Sequence, residues 1–355
     1  MLLQTLFSLI VLMNIQKDIS LKPYNTFQVE VNAKYFVEIT SDEDIQELFQ
    51  DPLFQTKRLI LGGGANILLT KDFEGIVIKV ALKGIQQIAR ENGKVILKVG
   101  AGENRQDFVQ YCCENQYAGI ENLAWIPWNV GTAPVSNIGA YGMEVSKVII
   151  KVEGYDLKTQ EFKVFSKDEC KFGYRSSIFK KELSSEFLVT AVFFELQEFS
   201  ETYSFQLEYP DFKKYFQEKE LQPDDLTLKD VMNTVIEIRN NKIPDPKLVP
   251  SAWSFFENPV IPQSELAILL ERFPQLKSFP SWKEGYVKLS AGQLIDLAWL
   301  KGYSNGKAWT SEKHALILIN QGGTAQDILE VANHIQSTVF QTFWVELHPE
   351  VVYVS

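Results

Sequence analysis

Short apolar runs ending at glycine alternate along the chain with longer amphipathic stretches. RLILGGG (58–64), GIVIKV (75–80) and KVILKVGAG (94–102) predict strands. SDEDIQELF predicts a helix: Ser41 is placed to cap it, acidic residues fill its first turn, and Ile45, Leu48 and Phe49 share a face. ENRQDFVQYCCENQ predicts a second helix, with Phe108 and Cys112 paired. VIIKVEGYDL and FLVTAVFFEL read as strands, and Leu228, Val231, Met232, Val235 and Ile238 fall at helical spacing. That helix must end at RNNKIPDP, since Pro244 and Pro246 cannot continue it, which puts a domain boundary near residue 247. Beyond it, SELAILLERF, AGQLIDLAWLKG and TAQDILEVANHIQSTVF predict three helices, separated by strand-like SFF, YVKLS and HALILIN. FWVELHPEVVYV reads as a closing strand, and the whole segment as a compact α+β unit. His334 lies beside the apolar stripe Ile328, Val331, Ile335 and Val339, as a surface residue.

At 355 residues two or three domains are expected. A hydrophobic fraction of 45% with 23% charged residues is that of a globular protein. The net charge of -10 and the lack of Lys/Arg clusters argue against a nucleic-acid partner, while leaving room for an anionic small molecule held by a few local cations. Three cysteines, Cys112, Cys113 and Cys170, form no CxxC pair and read as free, packed thiols. With three histidines and no HExxH, no metal site is expected. The first twelve residues, MLLQTLFSLIVL, are too few to span a bilayer and lack a signal peptide's charged start and cleavage site. Residues 1–12 are therefore expected to be a misassigned extension before a start at Met13, with an amphipathic extension as the alternative.

ILGGGAN invites a dinucleotide reading, but Ile67 stands where G-x-G-x-x-G needs its third glycine, so a Rossmann fold is disfavoured. What remains is a glycine-rich turn whose N–H groups can cradle a pyrophosphate, or a plain tight turn. GYSNGKA is too short for a phosphate loop. Arg175 sits among aromatics in FGYRSSIF, where a stacked structural role competes with a functional one. Arg239 and Lys242 can simply oppose a helix dipole, and Ser254 can be a cap. Glu350, in the apolar HPEVVYV, is costly to bury unless paired or protonated.

In this order LKPYNTF, LILGGGANIL, VGAGEN, the segment ending NIGAYG, ECKFGYRSSIFK, RNNKIPDPK, SFFENP, VKLSAG, HALILIN and HPEV resemble the UDP-N-acetylenolpyruvoylglucosamine reductases over residues 16 to 352. LEYPDF, with Tyr209, is similar to the subgroup carrying an extra tyrosine-bearing loop over the substrate. The resemblance implies an α+β protein. A two-lobed FAD-binding domain of the vanillyl-alcohol-oxidase/PCMH type, not Rossmann, would occupy 13–83 and 84–247, and a C-terminal α+β substrate-binding domain 248–355. It implies non-covalent FAD wrapped by Tyr24, Asn25 and Thr26, by Gly62, Gly63, Gly64, Ala65 and Asn66, and by Gly131, Thr132, Ala133, Ser136, Asn137, Gly139, Ala140 and Gly142. NADPH would donate hydride and UDP-N-acetylglucosamine enolpyruvate would accept it, in peptidoglycan precursor synthesis, in a monomeric cytoplasmic enzyme without membrane insertion. Carried over by motif, Arg175 and Glu350 would stabilise the developing charge and Ser254 would donate a proton. Tyr209, Lys242, Asn258 and, more loosely, Lys301 would hold the diphosphate. Another FAD oxidase of the same fold and a catalytically impaired nucleotide-sugar binding module are the alternatives.

The chain departs from the pattern at its tryptophans. Trp125, Trp128, Trp253, Trp299, Trp309 and Trp344 fall where the family has glycine or another small residue, and only Trp282 does not. Six such replacements, at about 1–3 kcal/mol of overpacking each, would rival a whole domain's stability of about 5–15 kcal/mol. UGA codons read as glycine are the expected cause, with crowding at the flavin site as the structural consequence. Glu257, where lysine is usual, and His348, where glutamate is common, are smaller departures.

Overall fold

The computed structural model describes residues 13–220, 226–246 and 248–355, so the expectations for residues 1–12 and for Lys247 itself lie outside the described residues. Seven helices are present among them: α1 (Asp42–Gln50), α2 (Arg105–Glu114), α3 (Pro210–Lys219), α4 (Leu228–Lys242), α5 (Gln263–Arg272), α6 (Ala291–Leu297) and α7 (Ala325–Phe343). Ser41 caps α1 as its position predicts: its hydroxyl accepts from Asp44 N–H (3.2 Å) and the Asp44 carboxylate accepts from Ser41 N–H (3.0 Å). Thr227 with Asp230, and Thr324 with Asp327, start α4 and α7 in the same reciprocal way.

The chain first builds a four-stranded sheet in the order Gln16–Ser20, Asn32–Ile39, Phe73–Val80, Arg58–Leu61, the last three strands parallel. Residues 85–198 then form an antiparallel sheet centred on Phe187–Glu198, which pairs with Lys94–Gly100 on one side and Ile149–Asp156 on the other. The first sheet is apolar on both faces. Val37, Ile39, Ile76 and Ile78 point into a core shared with the second sheet, α2 and α4, whereas Ala33, Phe36 and Val77 point into one shared with α6 and α7. This alternation fixes where the three parts meet.

Two elements differ from expectation. The strand expected at SFF falls earlier, at Ser251–Ala252, while Phe255 and Phe256 are buried side by side. Only Val352–Val354 of the predicted closing strand is strand, because α7 runs on to Phe343; it pairs in parallel with Ile67–Leu69 and so ties the C-terminus to the glycine-rich turn. α3 was not predicted, although Pro210 at its first position and Phe212 and Phe216 one turn apart are legible signals. His334 is exposed and stacks on Tyr303 at 4.3 Å. All three cysteines are free and buried. No described helix is long and apolar enough to cross a membrane.

Candidate active site

The turn after Arg58–Leu61 leaves no room for side chains. Gly64 has φ +68°, and a Cβ there would lie 1.7 Å from the Tyr24 carbonyl oxygen. Thr26 N–H donates to the Gly64 carbonyl at 3.0 Å and its hydroxyl to that of Ala65 at 3.3 Å. Asn25 is buried, donating to the carbonyls of Leu21 (2.8 Å) and Val29 (3.1 Å). Tyr24, Asn25 and Thr26 thus brace the turn from behind rather than line the space in front of it. Opposite, Gly131 packs on Ala101, which a Cβ would approach to 2.5 Å. Ala133 and Asn137 are also buried. Asn137 donates to Glu144 (3.2 Å) and to the Gly173 carbonyl (3.0 Å), and Gly142, at φ +81°, turns the hairpin between Gly139–Ala140 and Met143–Glu144.

Between these segments and the C-terminal unit opens a cleft of about 1150 Å³, lined by Gly62 to Asn66, Gly131, Thr132, Ser136, Gly139 and Ala140. The same wall contains Arg175, Ser254, Glu350, Tyr209, Lys242 and Asn258. Arg175 itself has φ +49°, and its guanidinium donates to the carbonyls of Asn137 (3.3 Å) and Gly139 (2.9 Å), so the small-residue loop aims it. The backbone beside Ser254 is tied to Glu350: Glu350 N–H donates to the carbonyl of Phe255, the next residue after Ser254 (2.8 Å), and the Glu350 carbonyl accepts from the Asn66 side chain (2.9 Å). Burial pushes the Glu350 carboxyl above the usual range; Arg175 and Lys180 partly offset this and Glu257 adds to it. Glu257 is paired with Lys180 at 3.2 Å. Lys242 pairs with Asp211 (2.6 Å), Tyr209 precedes α3 and meets Tyr141 edge-on at 5.2 Å, and Asn258 accepts from Ala291 N–H (3.0 Å) at the start of α6. Lys301 is exposed and lies outside the cleft wall.

The sequence reading missed one cation, Arg105, and gave another, Arg239, only a helix-dipole role. Arg105 is buried and Arg239 half-buried in this wall, and the buried Nε and Nη1 of Arg105 and Nε of Arg239 find no acceptor. Burial, then the charge of Arg239, pulls the Arg105 guanidinium down to about 9, and burial lowers Arg239 as well. Desolvation, Lys242, Lys301 and Arg239 together lower His314. Buried donors without acceptors are expensive unless an anion completes them. This cleft is therefore built for a large, negatively charged ligand, which reconciles anion binding with the acidity of the whole chain. A flavin dinucleotide's diphosphate fits that donor set and the bare glycine turn.

Trp128 and Trp253 line the same cleft with ring centroids 6.2 Å apart. A Cβ on Gly63 would come within 2.7 Å of the Trp128 Cβ, so the turn can pass this residue only as glycine. Trp125, Trp128, Trp299 and Trp344 have positive φ; Trp253 and Trp309 do not.

Residues 33–158 match the family model described as FAD binding domain, and residues 245–354 the UDP-N-acetylenolpyruvoylglucosamine reductase, C-terminal domain. A UDP-N-acetylenolpyruvoylglucosamine reductase from Flavobacterium johnsoniae is 40% identical over 340 residues, covering 96% of this chain and 99% of that one. One from Chromobacterium violaceum is 43% identical over 336 residues, covering 94% and 97%. Among solved structures, the Thermus caldophilus UDP-N-acetylenolpyruvylglucosamine reductase superposes with a TM-score of 0.67 at 24% identity, over 97% of this chain and 100% of that one. 6-Hydroxy-D-nicotine oxidase from Arthrobacter nicotinovorans shares the fold, with a TM-score of 0.52 at 12% identity, over 94% and 86%. The architecture is thus an α+β FAD-binding domain of the PCMH type, not Rossmann, followed by a C-terminal domain. The chain belongs to the UDP-N-acetylenolpyruvoylglucosamine reductase family.

Proposed function

We propose that this protein reduces UDP-N-acetylglucosamine enolpyruvate to UDP-N-acetylmuramate in the cytoplasm, for peptidoglycan synthesis. The observation that carries this reading is the convergence of Arg175, Ser254 and Glu350 on one cation-rich cleft bounded by the glycine turn. The glycine turn, Arg105 and Arg239 would hold FAD, which, once reduced by NADPH, would supply hydride chemistry toward the substrate's methylene carbon. The residues of the chain handle the charge and the proton. Arg175, fixed by two loop carbonyls, offers its remaining N–H groups to the carboxylate as negative charge builds on the adjacent carbon. Glu350, whose burial favours the neutral acid, can face that charge without repelling it. Ser254 donates its hydroxyl proton to the carboxylate-bearing carbon.

Lys242, Asn258 and Tyr209 are assigned to the diphosphate, Tyr209 standing just before α3 as the residue that matches the loop of the tyrosine-bearing subgroup. Lys301, away from the wall, acts at most through the field it shares with His314. The protein is proposed to act as a monomer. The test is spectroscopic: purified protein loaded with FAD should bleach with NADPH under anaerobic conditions and recover its absorbance on addition of the enolpyruvyl sugar nucleotide. Bleaching that only oxygen reverses would sink the assignment in favour of another oxidase of this fold. Binding of the sugar nucleotide by a chain that takes up no flavin would support the binding-module alternative.

A further inference from the structure

Four of the seven tryptophans, Trp125 (φ +55°), Trp128 (+97°), Trp299 (+59°) and Trp344 (+60°), have left-handed backbone. Only a few per cent of non-glycine residues do. In this chain just one of the 13 tyrosines, Tyr141, and none of the described phenylalanines join them. The φ of Trp128 lies well beyond the left-handed helical well near about +57°, toward values held here by Gly84 (+119°). Ring contacts offset the strain only in part: Trp128 packs on Trp253 at 6.2 Å with the Arg105 guanidinium 5.8 Å from its ring, and Trp344 packs on Phe340 at 5.9 Å. Trp299 and Trp344 are 92% and 72% exposed, so the indoles gain little by burial. Both follow a helix at the position where chains favour glycine: Trp344 N–H closes α7 on the Phe340 carbonyl (2.8 Å), and Trp299 N–H closes α6 on that of Asp296 (3.0 Å). Trp125 and Trp128 instead bury indole N–H groups with no acceptor. Trp282 behaves differently. It stays out of the left-handed region and stacks on Tyr174 at 5.0 Å.

We infer that positions 125, 128, 299 and 344 are glycines in the protein as its own cell makes it, encoded by UGA, a codon that some bacterial lineages read as glycine and others as tryptophan. The pattern is one of backbone at all four positions, and of indole N–H groups without acceptors at 125 and 128, and it stands whether or not the chain is a reductase. At 128 the consequence is functional, since glycine there removes an indole that lines the cleft and lies 5.8 Å from the Arg105 guanidinium. Trp253 and Trp309 have ordinary φ, so the backbone does not decide them.

Codons and protein test this separately. The gene should carry UGA at 125, 128, 299 and 344 and UGG at 282; UGG at all five positions overturns the inference. Peptides spanning 299 and 344 from the source cells should have the mass of glycine, and tryptophan masses there overturn it equally. Full-length chains carrying Trp299→Gly and Trp344→Gly should melt higher than the tryptophan chain by roughly 2–4 °C per site, and an equal or lower melting temperature counts against it. These two sites lie at exposed helix ends, so their stability does not depend on flavin. A glycine chain that gains stability but takes up no FAD leaves this inference standing and removes the proposed reaction.

Discussion

Replacing Arg105 by methionine should make the ligand-free protein more stable and its flavin binding weaker. In the fold the guanidinium is pulled well below its ordinary value, down to about 9, mainly by desolvation. At about 1.36 kcal/mol per unit, burying the charge costs about 5 kcal/mol at neutral pH, where both folded and unfolded states are still protonated. The sign follows from linkage: a cation whose folded pKa is depressed carries this penalty below the folded value, and sheds it as pH rises above about 9, where the folded state loses the proton first. Methionine has similar length and no charge. It forfeits two hydrogen bonds, from Nη2 to Thr132 (3.0 Å) and to the Asn129 carbonyl (3.3 Å), each about 1.5 kcal/mol for a charged donor. The remainder favours the variant by about 2 kcal/mol, a rise in Tm of about 4–8 °C. Meanwhile FAD should bind on the order of 30-fold or more weakly, the usual result of truncating one partner of a buried charged pair. Thermal scans of apoprotein and flavin-fluorescence titrations read the two quantities. A variant that melts lower and binds FAD as well as the parent would show that Arg105 is a structural cation, and the anion-cleft argument would lose its best support.

Other outcomes follow from the same geometry. Ser254→Ala should leave reduction of the flavin by NADPH intact and slow the second half-reaction by about 10²–10⁴-fold; stopped-flow traces slowed alike in both halves would remove Ser254 as proton donor. Because Glu350 titrates above its unfolded value, it binds its proton more tightly in the fold, so stability from this group is lost as pH rises from the unfolded pKa through the folded one. Glu350→Gln should flatten that slope of Tm against pH, while Glu350→Asp should keep it; an unchanged slope in the glutamine variant refutes the burial argument. Gly64→Ala should prevent folding of the turn or abolish FAD uptake, since its Cβ would sit 1.7 Å from the Tyr24 carbonyl oxygen at φ +68°; a flavin-loaded alanine variant would contradict the geometry.

What the sequence could show was set by whether a signal is local. Ser41 followed three residues later by Asp44, or an apolar period running from Ile328 to Val339, is written within one turn or one helix and was legible. The parallel pairing of Val352–Val354 with Ile67–Leu69 joins residues nearly 300 positions apart, so only the fold reveals it. The site divides along the same line. Arg175, Ser254 and Glu350 sit in dense local motifs, whereas Arg105 and Arg239 have bland helical neighbourhoods: one begins α2 and the other lies near the end of α4, where a cation already has a reason to be. Their function rests on what tertiary packing takes away, namely water and acceptors, and that cannot be read from spacing. The tryptophans show the converse. A motif could mark Trp128 as unusual, but a backbone at φ +97° supplies the reason, because it tests the residue against a constraint that no neighbouring residue encodes. Where motif and backbone agree, as at 125, 128, 299 and 344, both point to glycine, the one residue that needs no compensation there.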